Sequence, residues 1–407
     1  MFRYKETSIS YIKRSEKHFS YMRDILFKFT AMRVAVNTRL LLPNKLEGIG
    51  RFSFEVLKRI VEAHPEIEFH FLFDRPFSEE FIFSKNIVPH VLFPPARHPF
   101  LWYAYFEWAI PKKLKEIKAD YFWSTDGYAS LNTNIPQHLT IHDLAFEHFP
   151  KAVPFLVNQY YRHYVPRFAK KATRIAAVSE FTKNDLIQQY SIQSNKIDIV
   201  YNGVSDYFKP LHPVEIEAIL QKYSNGLPYF ICVSSIHPRK NIPALLKAFD
   251  QFKQNNPTAP HQLILVGNFM YGSDNEVSAT IASMQHRQDL ILTGSLGHEQ
   301  IASLVGAASA TAYVSLFEGF GIPIIESMRA GVPVLTSDAN SMREVAGDAA
   351  LLVDPNKIES ISHGLARLAQ EEELRLNLIE KGLQRQAQFT WDNSALQYWN
   401  SVSLLFS

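Results

Sequence analysis

Glu318-Gly-Phe-Gly-Ile-Pro-Ile-Ile-Glu-Ser-Met-Arg-Ala-Gly-Val-Pro-Val-Leu-Thr-Ser-Asp338 sets two carboxylates, Glu318 and Glu326, on either side of a glycine turn with seven residues between them. Thr311 to Leu316, just before it, is a short apolar run suited to a buried strand. Gly319-Phe320-Gly321 permits a sharp turn, and Pro323 fits the first turn of a helix, where its missing N–H costs nothing. A helix over about 323–330 ends at Gly331, a residue suited to a left-handed cap, and Val332 to Thr336 resumes as strand. The segment therefore reads as strand, glycine loop, helix, strand.

In such a unit the N–H groups of Phe320, Gly321, Ile322 and Ile324 lie at the positive end of the helix dipole, where a negative group is favoured. Glu318 before the turn and Glu326 within the helix can border the same crevice. Carboxylates accept from sugar hydroxyls while amides hold phosphates, so the arrangement suits a nucleotide sugar. The plainer alternative is a helix acid favoured by the dipole beside ordinary turn glycines.

The chain has 407 residues, 46% of them hydrophobic, enough for two domains with separate cores. A net charge of +2 over that length gives no concentrated basic face and so no case for nucleic acid. The one cysteine, Cys232, lies in the apolar run Tyr229-Phe-Ile-Cys-Val-Ser and reads as a buried strand residue in a reducing compartment. The most apolar window, 99–111, is too short to span a membrane and contains Glu107. Residues 1–31 mix basic and aromatic residues with no apolar run of the signal-peptide kind, and read as an N-terminal extension.

From Arg33 onward short apolar strands alternate with amphipathic helices, the mark of βαβ units and parallel sheets. Val34-Ala-Val, 68–73, 121–124, 139–141 and 174–178 are strands of an N-terminal domain over 32–205. Stretches 229–233, 262–266, 289–292, 310–314, 332–336 and 350–353 give a second domain over 206–385, and 386–407 form a terminal helix. Two doubly wound, Rossmann-like α/β domains are thus expected, with ligands beyond the carboxyl ends of the strands in a central cleft.

Other candidate residues fall at those strand ends. His142-Asp143 follows Leu139-Thr-Ile; Asp143 either orients His142 or caps the next segment. Arg239 and Lys240, in Ser234-Ser-Ile-His-Pro-Arg-Lys-Asn-Ile, pair a guanidinium fork with a point charge, able to neutralise a departing diphosphate. Gly48-Ile-Gly50 in the first βα turn lacks the third glycine and downstream acid of a dinucleotide fingerprint, so it does not indicate NAD. Ser179, with Thr182 and Asp185 nearby, reads as a helix cap, and Asn202-Gly203 as a turn.

The segment 318–338 resembles the signature of the retaining family 4 glycosyltransferases, nearest to bacterial mannosyltransferase-like members, and the similarity runs from about Met32 to the C-terminus. The resemblance implies the GT-B fold and sugar transfer from a nucleotide diphosphate donor with retained configuration. It gives His142 a contact with the donor sugar, Arg239 and Lys240 the diphosphate, Glu318 the sugar hydroxyls and Glu326 the ribose. Gly48 and Gly50 would let the backbone approach donor phosphates or acceptor, and Leu296, in Thr293-Gly-Ser-Leu-Gly, would meet the base. The terminal helix would cross back onto the first domain.

No Asp-x-Asp motif sits at a strand end in the needed place, so neither a metal nor another cofactor is expected, and the leaving group would be neutralised by Arg239, Lys240 and the helix start. His142-Asp-Leu-Ala-Phe-Glu-His-Phe-Pro is similar to segments of mannosyltransferases of surface-polysaccharide assembly, which makes GDP-mannose the first donor to test, with UDP-hexoses open. The expected partners are a nucleotide sugar and a glycan or lipid-linked oligosaccharide, in the cytoplasm or at the inner face of the membrane. The aromatic stretch Phe100 to Trp108 with Lys112, Lys113 and Lys115 is either a membrane contact or an amphipathic helix covering the first sheet. A GT-B epimerase and a non-catalytic sugar-nucleotide sensor are the competing functions.

Overall fold

The computed structural model describes residues 32–43, 46, 48–235, 237–267 and 274–406. The expected extension 1–31 and Glu47 of the first glycine turn lie outside the described residues. Two parallel sheets organise the chain. The first contains β1 (Arg33–Asn37), β2 (Glu68–Phe73), β3 (Ile87–Val91), β4 (Tyr121–Ser124), β5 (Gln137–Ile141), β6 (Arg174–Ala177) and β7 (Ile197–Ile199), in the order β3-β2-β1-β4-β5-β6-β7. The second contains β8 (Tyr229–Val233), β9 (Gln262–Val266), β10 (Leu290–Gly294), β11 (Ala310–Tyr313), β12 (Val334–Ser337) and β13 (Leu351–Val353), in the order β10-β9-β8-β11-β12-β13. This is the GT-B type of α/β fold, as the sequence led one to expect.

Two of these strands escape a reading by apolar runs. β3, Ile-Val-Pro-His-Val, carries Pro89 and sits at a sheet edge, the place where a strand tolerates a residue that cannot donate. β7 is only Ile-Asp-Ile, at the opposite edge.

Contacts divide the chain into two compact units. Among the described residues, one consists of those up to Thr140, Arg167–Ile175 and those from Trp399; the other is made of those in Ile141–Pro166 and Ala176–Tyr398. Residues just after β5 and β6 therefore belong to the same unit as the six-stranded sheet.

In that unit the sheet is covered on both faces. Tyr229 and Ile231 of β8 enter one apolar cluster with Ile324, Ile325 and Met328, while Phe230 and Cys232 enter another with Leu245, Phe249 and Phe252 of the helix Ile242–Asn255. Alternating side chains that are all buried give a continuous apolar strand, which is why β8 and β9 are legible from sequence. Cys232 is buried, as expected, and burial pushes its thiol up to about 12. Gly203 lies against the start of the last helix, Trp391–Ser403: a Cβ there would stand 2.4 Å from the Trp391 nitrogen.

In the other unit the helix Ile49–Ala63 buries Phe52, Val56, Leu57 and Ile60. Gly48 takes φ 45° ahead of it. Gly50 is buried, and a Cβ there would lie 2.7 Å from the Leu40 carbonyl oxygen, so close packing requires that glycine. The end of the chain packs here as well. Trp399 stacks on His64 with ring centroids 3.6 Å apart, and Ser401 Oγ lies 2.8 Å from His138 Nε2.

His70 of β2 stands between Glu68, 2.7 Å from its Nε2, and His90 of β3, 2.8 Å from its Nδ1. Burial pulls His70 below the usual imidazole range and pushes His90 down to about 4, with His70 and Lys113 adding to the effect on His90 and Glu116 and Glu68 opposing it. The unfolded chain therefore binds protons near its ordinary value of 6.5 that the fold rejects. The stability from this pair is complete above that value and declines as pH falls toward about 4. His90→Gln is expected to flatten the fall of Tm between about pH 7 and about pH 4.5 relative to wild type. Parallel declines in the two proteins would contradict this.

Candidate functional site

The six-stranded sheet reverses its winding at β8, which pairs with β9 on one side and β11 on the other. Loops leaving the carboxyl ends of two such neighbours diverge and leave a crevice. Arg239 and Lys240 lie on the loop after β8, and Glu318 on the loop after β11. The two loops are tied together by the Leu316 N–H, which donates to the Arg239 carbonyl at 2.7 Å, and by Asn241 Nδ2, which donates to the Val314 carbonyl at 3.1 Å.

Side chains separated by 78 and 79 positions then meet. Arg239 Nη1 donates to one Glu318 oxygen at 2.5 Å and to the Phe317 carbonyl at 3.1 Å. Lys240 Nζ donates to the other Glu318 oxygen at 2.6 Å and to Tyr313 Oη at 2.8 Å. All three charged side chains are largely buried, Glu318 most completely, with 8% of its side chain exposed. Burial pushes the Glu318 carboxyl up, but the Lys240 and Arg239 charges outweigh it and hold it below the usual carboxylate range. Burial pulls the Lys240 ammonium down against the attraction of Glu318, with Arg239 helping to lower it. Burial also raises the Tyr313 phenol well above its ordinary value, so it remains a hydroxyl. Two cations facing one carboxylate give these three side chains one positive charge in excess, which Asp143 offsets in part through its effect on Arg239 and an anion can neutralise further.

The glycine turn beside this cluster is held at several points. Ser179 Oγ donates to the Gly319 carbonyl at 2.6 Å, Thr182 Oγ1 to the same oxygen at 3.2 Å, and Ser341 Oγ to the Glu318 carbonyl at 2.7 Å. Ser179 is also the helix cap expected of it, accepting from the Thr182 N–H. A Cβ on Gly319 would stand 1.7 Å from the His142 carbonyl oxygen, so only glycine fits where that backbone passes. Gly321 at φ 102° opens the helix Ile322–Arg329, and Gly331 at φ 70° follows it.

The structure thus gathers His142, Arg239, Lys240, Glu318 and the turn into one compact unit. Asp143 accepts from the Ala145 N–H at 3.0 Å, which favours its capping role, and its charge also acts on Arg239. Glu326 is partly buried on the helix. The Ile324 N–H is not open to a ligand, because it donates to the Gly321 carbonyl at 3.0 Å. Phe320 directs its ring into the core, against Phe389. Leu296 is partly buried against the same core. Gly48 and Gly50 belong to the other unit, where packing already accounts for Gly50.

Sequence reasoning missed Tyr313, although a tyrosine at the carboxyl end of a buried strand needs a partner for its hydroxyl. It also missed the pair His148 and Asp185, in which Nε2 lies 2.9 Å from a carboxylate oxygen while the ring packs against Phe317, next to Glu318. A pocket of about 340 Å³ lies on the flank of the 237–241 turn, lined by residues including His237, Asn241, Lys247 and Pro355. It does not include the charged cluster. Among the described residues no three His, Cys, Asp or Glu side chains converge to hold a metal ion.

Removing Glu318 leaves two buried cations without their carboxylate. Glu318→Ala should lower the unfolding free energy by about 3–5 kcal/mol, whereas Lys240→Met, which leaves a one-to-one pair, should cost clearly less. Calorimetry of the two variants checks the order, and equal losses would contradict the charge arrangement.

Comparisons with known proteins bear on the family and the fold. Residues 46–207 match the family model described as Glycosyltransferase Family 4, and residues 216–385 that described as Glycosyl transferases group 1. The chain is 31% identical to the O-antigen chain mannosyltransferase B of Escherichia coli, over 88% of this chain and 97% of that one. It is 25% identical to the O-antigen chain mannosyltransferase RfbU of Salmonella typhimurium, over 70% and 75%. In fold it is similar to sucrose-phosphate synthase of Thermosynechococcus elongatus, with a TM-score of 0.75 over 92% and 99% of the two chains at 18% identity. The chain belongs to glycosyltransferase family 4 and is a glycosyltransferase.

Proposed function

We propose that this glycosyltransferase moves a hexose, with mannose the first candidate, from a nucleoside diphosphate to a glycan or lipid-linked acceptor in surface-polysaccharide synthesis. The observation that carries the proposal is the buried cluster of Arg239, Lys240 and Glu318, with its surplus positive charge beside a helix start. The two O-antigen mannosyltransferase relatives support the choice of sugar and setting.

The chemistry follows from the charges. As the bond from the anomeric carbon to the diphosphate breaks, negative charge grows on the leaving oxygen, and Arg239 and Lys240 neutralise it without help from a metal. The acceptor hydroxyl attacks on the face that the diphosphate leaves, a bond to the anomeric carbon forms, and the departing phosphate takes the hydroxyl proton. The configuration is retained. Glu318, fixed between two cations, accepts from sugar hydroxyls and takes no covalent part. Glu326 accepts from the ribose, His142 meets the donor sugar, and the amides of Phe320, Gly321 and Ile322 face the phosphates. Leu296 meets the base, and Gly48 offers an open backbone in the other unit. No helix among the described residues is long and apolar enough to cross a membrane. The reading places the protein in the cytoplasm, in peripheral contact with the inner face of the membrane where a lipid-linked acceptor would be met.

The test is melting temperature against GDP-, UDP- and ADP-sugars, followed by product analysis with a lipid-linked oligosaccharide. One nucleotide sugar should raise Tm by several degrees, as binding to the folded state does by mass action, and Glu326→Ala should weaken that rise. Arg239→Ala should reduce kcat by about a hundredfold or more, since its charge acts as the bond breaks. No shift at millimolar donor, or turnover to a free epimerised donor, would overturn the proposal.

A further inference from the structure

The helical stretch between β3 and β4 changes pitch in its middle. Pro99–Ala104 is α-helical, Tyr105–Ala109 is a π-turn, and Ile110–Ile117 is α-helical again. A π-turn takes up one extra residue, and such insertions are kept where they redirect side chains. Here it separates two aromatic groups. Tyr105 and Phe106 are fully buried, and the Glu107 carboxylate turns inward to accept from the Leu131 and Asn132 N–H groups at 3.0–3.1 Å.

On the opposite side, Phe100 is 73% exposed, Trp108 62% and Tyr103 37%. Tyr103 and Trp108 are five positions apart, a spacing that would diverge on a regular α-helix, yet their rings lie 5.6 Å apart edge to face. The extra residue of the π-turn brings them together. The row continues in α-helical steps to Lys112 and Lys115, both exposed. Beside them Lys113 is paired with Glu116 at 2.7 Å. The loop entering the helix adds exposed Phe93, Arg97 and His98. An amphipathic helix covering a sheet accounts for Tyr105, Phe106, Ile110 and Leu114 but not for this outer row.

We propose that the outer row is a docking surface for an anionic lipid bilayer, with Phe100, Tyr103 and Trp108 entering the interface and Lys112 and Lys115 resting on acidic headgroups. Tyrosine and tryptophan, with one apolar and one polar side, favour that depth, phenylalanine adds apolar area, and adjacent lysines supply the complementary charge. A protein partner would leave exposed lysines at one end without a stated counterpart. The proposal deepens the reading of a lipid-linked acceptor but is measured independently of it.

The full chain is sedimented with vesicles of phosphatidylcholine alone and of phosphatidylcholine with phosphatidylglycerol. Wild type should pellet with the anionic vesicles, Phe100→Ser with Trp108→Ser should weaken binding by about tenfold or more, and Lys112→Glu with Lys115→Glu should abolish the preference for acidic lipid. Each variant is checked for the donor-induced rise in Tm, which shows that it is folded. Anionic-vesicle binding equal in wild type and both variants, or absent from wild type, overturns the surface. So does a lipid-independent dimer in wild type that both variants lose, which would make the row a protein interface. A protein that binds vesicles as described yet shows no donor shift keeps the docking surface and overturns instead the donor chemistry proposed for the charged cluster.

Discussion

The site depends on one buried carboxylate held between two cations. Without Glu318, Arg239 and Lys240 would repel each other in surroundings that penalise each charge separately. With it, both are fixed and the three side chains together keep one positive charge, on which Asp143 also acts. That surplus is useful only because the loops carrying it leave adjacent strands at the point where the sheet reverses its winding. The same hydrogen bonds that close those loops on each other also set the distance between the charges.

The glycine turn is subordinate to this cluster and is constrained from outside. Its carbonyls are occupied by Ser179, Thr182 and Ser341, and its backbone passes so close to His142 that no side chain fits at Gly319. Two hydroxyl donors on one carbonyl and a steric limit on the adjoining backbone leave little freedom. Such constraints fix the turn through the protein's own hydrogen bonds, the kind of preorganisation that electrostatic stabilisation of a leaving group requires.

Much of this was legible in the sequence. β8 and β9 are buried on both faces and so appear as near-continuous apolar runs, β11 and β12 are buried and interrupted only by threonine and serine, and Gly319, Gly321 and Gly331 mark a turn and a helix end by their conformational demands. β3 and β7 were hidden because an edge strand tolerates proline and needs few residues. Glu318, Arg239 and Lys240 were each identifiable, but their union was not: residues 78 and 79 positions apart meet through topology, which no local pattern records. The use of the Ile324 amide inside the helix start was hidden for a related reason, since an available N–H and a spent one look alike in sequence. The stretch Phe100 to Trp108 was legible as aromatic, but which of its rings share an exposed side was not, because a regular 3.6-residue count places Trp108 away from Tyr103.

The central claim is that the surplus charge of the Arg239, Lys240 and Glu318 cluster recognises a diphosphate. Titration calorimetry of the nucleoside diphosphate against the corresponding monophosphate measures it directly, because the two ligands differ only in the group that the cluster would hold. Wild type should bind the diphosphate at least about tenfold more tightly, and Lys240→Gln should lose most of that preference while its affinity for the monophosphate changes little. A preference that survives the substitution undiminished would place the diphosphate elsewhere and contradict the account.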